Sequence, residues 1–166
     1  HENLVRMEAR HANAQGRGGV TIRELIKTSL RMRPDRIIVG EVRGEEVVDM
    51  LSAMSTGHEG SLSTGHANSP AGMINRLETL FLSSANFPVE AVRSQIAGAI
   101  EIFVHLKRTS AGKRQVWEIS EVEGYIQGAI RLNKLFAHVP GKGLTATGNR
   151  LIHKEKLELY EQEVVL

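Results

Sequence analysis

The sequence contains no cysteine, which excludes a disulfide framework and any thiolate metal site. Aromatic residues make up only 4% of it, with a single tryptophan. No apolar run approaches the ~18 residues that a membrane-spanning helix requires, and the first ten residues form no signal peptide. Charge of one sign is also scarce. A net charge of +2, with the basic residues scattered rather than blocked, gives no ground for direct nucleic-acid binding. The phosphate-binding pattern G-x-x-x-x-G-K-[ST] is absent as well. Gly141-Lys142-Gly143 lacks both the preceding glycine spacing and the hydroxyl residue. What is present is ordinary for a globular protein: 166 residues, 41% hydrophobic and 24% charged, enough for one domain with a real core. A cytoplasmic α/β domain is the default expectation. The chain opens on His1 without a methionine and runs directly into the strand-like Leu4–Glu8, as expected of a piece of something longer.

Periodicity organises the rest. Residues 9–20, with Gly16, Gly18 and Gly19, read as a loop. Thr21 and Glu24 form a capping box, and Ile22, Leu25, Ile26 and Leu30 mark one face of a helix ending near Met32, before Pro34. Arg36–Gly40 is too short for a helix and apolar on both faces, which predicts a parallel strand covered on both sides. Val47, Val48, Leu51 and Met54 give the next helix its buried stripe, and Gly57 ends it. A weaker strand is expected over Gly60–Thr64. Ser69-Pro70 then starts a helix with Met73, Leu77, Leu80 and Phe81 inward, and Pro88 starts another carrying Val89, Val92 and Ile96. Three strands follow, Ile100–Leu106, Gln115–Val122 and Ala129–Phe136, the last two joined in a hairpin near Gln127-Gly128. From Pro140 the chain is glycine-rich and then charged, with a short helix expected over 151–161. The fold class is therefore α/β, a parallel sheet with flanking helices and an appended antiparallel meander.

Two segments carry candidate chemistry. Ile37-Ile38-Val39-Gly40-Glu41 sets a carboxylate just beyond the C-terminal end of a buried strand, the end at which ligands sit in open parallel sheets. An acid there can hold a magnesium-associated water or activate an attacking one, and Arg43 is near enough to orient it or reach a phosphate oxygen. The competing reading of Glu41 and Arg43 is a solvated ion pair. The second segment, Thr56–Ser69, contains His58 and His66 on either side of a strand, with His66 at the same edge as Glu41. An imidazole there can hydrogen-bond a phosphate or polarise water. His11, His105, His138 and His153 are expected to be surface or structural residues.

Together these segments resemble the superfamily of type II and type IV secretion ATPases. Leu30–Arg43 is similar to that family's Walker B element, in which a glycine precedes the glutamate, and Thr56–Ser69 is similar to its histidine box. Val5–Arg10, Val20–Leu25, Met54–Leu62 and His66–Pro70 most resemble the Tad/Flp pilus motors (CpaF-like). The likeness covers about residues 1–136, and Gly65 departs from the bulkier residue usual before the histidine.

The resemblance implies a partial RecA-like P-loop NTPase core over residues 1–139, without its Walker A loop, followed by a C-terminal tail over 140–166. It implies Glu41 as the Walker B glutamate (indirectly a Mg²⁺ residue), Arg43 as a phosphate stabiliser, and His58 and His66 as the histidine pair. Arg6 and Arg10 would approach phosphates of ATP, in some relatives those of a neighbouring subunit. It further implies ATP and Mg²⁺ as cofactors and a homohexamer on inner-membrane platform proteins, reaching the membrane only through those partners. Coupling hydrolysis to pilus assembly or secretion is the implied task. Lacking the loop that cradles phosphates, the chain alone is expected to be inactive and its sheet to show a gap or a bare edge. Two rivals remain open here: a metal-dependent hydrolase using His58, His66 and Glu41, and a degenerate interaction module without catalysis.

Overall fold

The computed structural model describes residues 3–109 and 112–155. It is a mixed α/β chain in which ten elements form a parallel pair of strands, four helices and a four-stranded antiparallel sheet. Two compact units are present: His1–His66 with Thr79–Phe87, and Ala67–Glu78 with Pro88–Leu166.

The first unit begins with an extended segment. The strand expected over Leu4–Glu8 does not form. Its apolar residues Leu4 and Val5 stand exposed, and pairing is confined to a single bridge between Arg10 and Val20. Among the described residues no adjacent strand pairs with that backbone, so propensity alone does not make a strand. Helix α1 (Ile22–Leu30) starts on the expected capping box: the Glu24 amide donates to Thr21 Oγ1 at 3.2 Å and the Thr21 amide to Glu24 Oε2 at 2.7 Å. Helix α2 (Glu46–Met54) buries Val47, Met50, Leu51 and Ala53, so its stripe lies slightly off the expected one, in which Val48 and Met54 were counted. Ion pairs from Arg23 to Glu45 and Asp49 fasten α1 to α2.

Strands β1 (Ile38–Val39) and β2 (Leu62–Ser63) are parallel, with Ile38 opposite Leu62. The expectation of a strand covered on both faces is corrected here. Ile37 and Val39 are buried, but Ile38 is 69% exposed and Leu62 60%. Successive side chains point to opposite faces, and among the described residues of this unit none covers the second face.

Helix α3 (Pro70–Ser84) opens with the Ser69 hydroxyl accepting from the Gly72 amide at 3.0 Å. Its buried residues Ile74, Leu77 and Phe81 follow helical spacing. In the second unit, α4 (Val89–Ala99) turns Val92, Ile96 and Ala99 inward and packs on the sheet through β4 and β5. Arg93 holds Glu78 through two hydrogen bonds of 2.8 and 3.0 Å, a bidentate clasp between α4 and α3.

The sheet runs β3 (Ile102–Arg108), β4 (Arg114–Ile126), β5 (Ala129–Val139) and β6 (Gly143–Ala146), each antiparallel to the next. The expected hairpin turn is found at Gln127 (φ 50°) and Gly128 (φ 83°), the left-handed pair that suits a right-twisted hairpin. Strand β6 was not anticipated, because four residues framed by glycines carry little periodicity. The helix expected over 151–161 lies outside the described residues beyond Glu155.

A buried polar latch closes this unit. Glu121, only 1% exposed, accepts from the Ile152 amide at 2.9 Å, the His153 amide at 2.8 Å and Asn133 Nδ2 at 3.0 Å. Burial alone would raise the carboxyl pKa; the His153 and Ile152 amides, then Asn133, outweigh it, and the group lies below its ordinary value. Asn133 also donates to the Arg150 carbonyl at 2.8 Å, so residues 150–153 are pinned across β4 and β5.

Candidate functional site: the ends of the parallel strands

Beyond Val39 and Ser63 the two strands stay in register for a few more atoms. The Val42 amide donates to the Thr64 carbonyl at 2.9 Å, and Thr64 Oγ1 donates to the Gly40 carbonyl at 2.6 Å. Val42 is fully buried. These contacts leave Glu41 and His66 side by side at the C-terminal edge, with Glu41 Oε1 3.2 Å from His66 Nε2. Glu41 is 37% exposed and His66 80%. A carboxylate so placed keeps one oxygen for water while the imidazole fixes the other.

Local chemistry shapes the loop that carries Glu41. Glu46, buried at the start of α2, accepts from the Arg43 amide at 2.7 Å and the Gly44 amide at 2.9 Å. Any added Cβ at Gly44 would meet Glu46 Oε2 at 3.0 Å, so a side chain there would crowd the carboxylate that closes the loop. At the other end of the pair, the Ser61 hydroxyl accepts from the Ile37 amide at 3.0 Å and donates to the His58 carbonyl at 2.6 Å. Glu46, Ser61 and Thr64 were not singled out from the sequence. An acid in the first turn just after a glycine-containing loop is a signal for the first. The contacts by which Ser61 and Thr64 join the two strands have no local signature, since Ile37 and Gly40 lie 24 residues away in the chain.

The other expected residues are distributed as follows. His58 Nδ1 lies 3.1 Å from the Ala53 carbonyl at the end of α2, at the opposite end of β2 from His66. Arg43 is exposed, and among the described residues its guanidinium forms no ion pair, so orienting Glu41 falls to His66. Arg6 is exposed and remote in sequence, and Arg10 Nε donates to the Gly18 carbonyl at 2.7 Å within its own loop. His58, His66 and Glu41 do not converge. Among the described residues no group of three acidic or histidine side chains could hold a metal ion. The three-ligand hydrolase site is therefore not assembled.

Comparison with known proteins finds likenesses to one family. The family model described as type II/IV secretion system protein matches residues 3–154. A Mycobacterium tuberculosis protein with a provisional conjugal-transfer name is 47% identical over 130 residues, covering 76% of this chain and 37% of that protein. The protein VirB11 of Agrobacterium fabrum is 34% identical over 125 residues, covering 74% and 35% respectively. Among solved structures, the VirB11 ATPase of the Brucella suis type IV secretion system, crystallised with sulphate, superposes with a TM-score of 0.58 at 29% identity, covering 61% of this chain and 32% of that one. The chain thus spans about a third of the length of the relatives it matches. With residues 3–154 matched, the chain belongs to the type II/IV secretion system protein family.

Proposed function

We propose that this chain forms the Walker B and histidine-box part of a secretion motor that hydrolyses ATP. The observation that carries the reading is the Glu41–His66 pair, held 3.2 Å apart where the parallel strands end. One free carboxylate without further ligands suits Mg²⁺, which keeps its waters and takes substrate phosphates, better than it suits a closed all-protein site. When bound, Mg²⁺-ATP supplies the phosphoryl group and neutralises its charge. Glu41 would align the attacking water and take up its proton, His66 would fix the carboxylate, and Arg43 would be free to swing toward the charge on the phosphate. His58 shapes the approach to β2 from its seat on α2. In this reading residues 1–139 belong to the ATPase domain and 140–166 to its tail, and Arg6 and Arg10 reach phosphates from a neighbouring subunit of a homohexamer.

The motif sequences favour the Tad/Flp pilus motors, whereas the relatives compared carry conjugal-transfer and VirB11 names. Both fall under the type II/IV secretion system family, and driving secretion is the task proposed. The test uses the longer protein that contains this segment together with a phosphate-binding loop. Glu41→Gln should lower ATP turnover by about 100-fold or more while ATP affinity holds, and His66→Ala should cause a smaller loss. The 166-residue chain alone should not turn over ATP. Near-normal turnover by the Glu41→Gln protein would remove Glu41 from the chemistry, and no turnover by the unaltered longer protein would leave the non-catalytic module as the better reading.

A further inference from the structure

The registers of the antiparallel sheet bring two turns to one end. Arg108 pairs with Arg114 beside the β3–β4 turn, Glu118 with Ala137, and Val139 with Gly143 beside the β5–β6 turn. That end carries Lys107, Arg108, Lys113, Arg114 and Lys142, all exposed. Among the described residues the strands at that end bring no acid to it, because residues 105–117 and 136–146 contain neither aspartate nor glutamate. The nearest, Glu118, is taken by Lys134 at 3.0 Å. Five cations in one place exceed the net charge of +2 on the whole chain. Among the described residues none of the five is in an ion pair. Three aliphatic side chains, Leu106, Val139 and Leu144, stand exposed among them.

From this geometry we infer that the β3–β4 and β5–β6 turns form a docking surface for an anionic lipid bilayer. Clustered cations gain energy near acidic headgroups, and exposed aliphatics beside them can enter the headgroup boundary. Single-stranded nucleic acid offers the same phosphate charge but gains much of its binding by stacking bases on open aromatic platforms. The only tryptophan at this end is already occupied: the His138 ring stacks on Trp117 at 4.1 Å and Lys107 Nζ lies 4.6 Å from the Trp117 ring. The aliphatic component therefore decides for the bilayer. This contact is direct and needs no spanning helix, in contrast to the expectation that the membrane is reached only through partners.

Vesicle flotation tests it, with Trp117 emission as a second readout. The chain should partition onto phosphatidylserine–phosphatidylcholine vesicles, release as salt is added, and ignore phosphatidylcholine alone. Lys113→Gln with Arg114→Gln should weaken partition about 25-fold, roughly fivefold for each cation. Lys142→Gln on the other turn should weaken it about fivefold. Leu106→Gln should weaken partition without changing its salt dependence. The charge-matched control Arg31→Gln with Arg76→Gln should leave it unchanged, and equal melting of all variants checks the fold. Equal partition onto neutral vesicles, undiminished partition of the Lys113/Arg114 variant, or tighter retention of a single-stranded oligonucleotide than of anionic vesicles would overturn the inference.

Discussion

Two carboxylates at sheet positions show how differently the two units use a glutamate. In the parallel pair, Glu41 has one imidazole partner and stays partly open to solvent. In the antiparallel sheet, Glu121 is sealed and has both oxygens engaged, by two backbone amides and an asparagine. The first arrangement costs little to change and leaves a group available for chemistry. The second commits the group wholly to structure, because a buried charge is tolerated only when its hydrogen bonds are complete. Buried polar residues are thus no guide to the site by themselves. The exposed, half-satisfied carboxylate is the one with an oxygen still open to a further partner.

The sharpest test of the contrast is truncation. Glu121→Ala should cost about 3 kcal/mol, since it leaves the Ile152 and His153 amides and Asn133 without their acceptor. Urea unfolding followed by Trp117 emission would read that loss, and hydrogen exchange should show residues 150–153 losing protection. Glu41→Gln should change stability by no more than about 0.5 kcal/mol. If the two variants melt alike, the division between structural and chemical glutamates fails.

Acid sharpens the same comparison. The Glu121 carboxyl lies below its unfolded value of about 4.3, so the stabilisation it provides is present above that value. It is lost as the pH falls through the lower folded value, where the unfolded state binds the proton more readily. Removing the charge with Glu121→Gln should flatten that part of the stability–pH curve, as denaturant midpoints measured across the acid range would show. An unchanged slope would mean that the latch does not titrate with folding.

Smaller effects probe each unit separately. Thr21→Ala removes the cap of α1 and should cost about 1 kcal/mol, visible as a lower thermal midpoint. Gln127→Asn, at the left-handed first position of the β4–β5 turn, should stabilise the sheet by about 0.5 kcal/mol, because asparagine accepts that conformation more easily. A loss of stability there would mean that the Gln127 side chain makes a contribution beyond the turn.

Much of the local structure was legible in advance for reasons confined to a few neighbouring residues. Thr21 and Glu24 announce a helix start, Ser69-Pro70 another, and Gln127-Gly128 a hairpin, because capping and turn chemistry act over three or four positions. Glu41 and His66 could be nominated because each follows a short strand whose polarity places its end. Their contact could not be read directly, since it depends on the register of two strands separated by α2. The exposure of Ile38 and Leu62 was hidden for a related reason: an apolar run reports what a strand can bury, not what lies against it.

Sequence alone therefore determined the order of the elements from α1 to β5, most of their caps and turns, and the residue types available at each strand end. Tertiary structure decided which of those residues meet. It set His66 rather than Arg43 against Glu41, left Ile38 and Leu62 on an exposed face, and spent Glu121 on holding the tail segment. It also gathered five cations, scattered along the sequence, onto one end of a sheet. The physical reason is common to all four. Strand register is set by backbone hydrogen bonding over long sequence separations, and no local pattern encodes which distant partner will supply the bond.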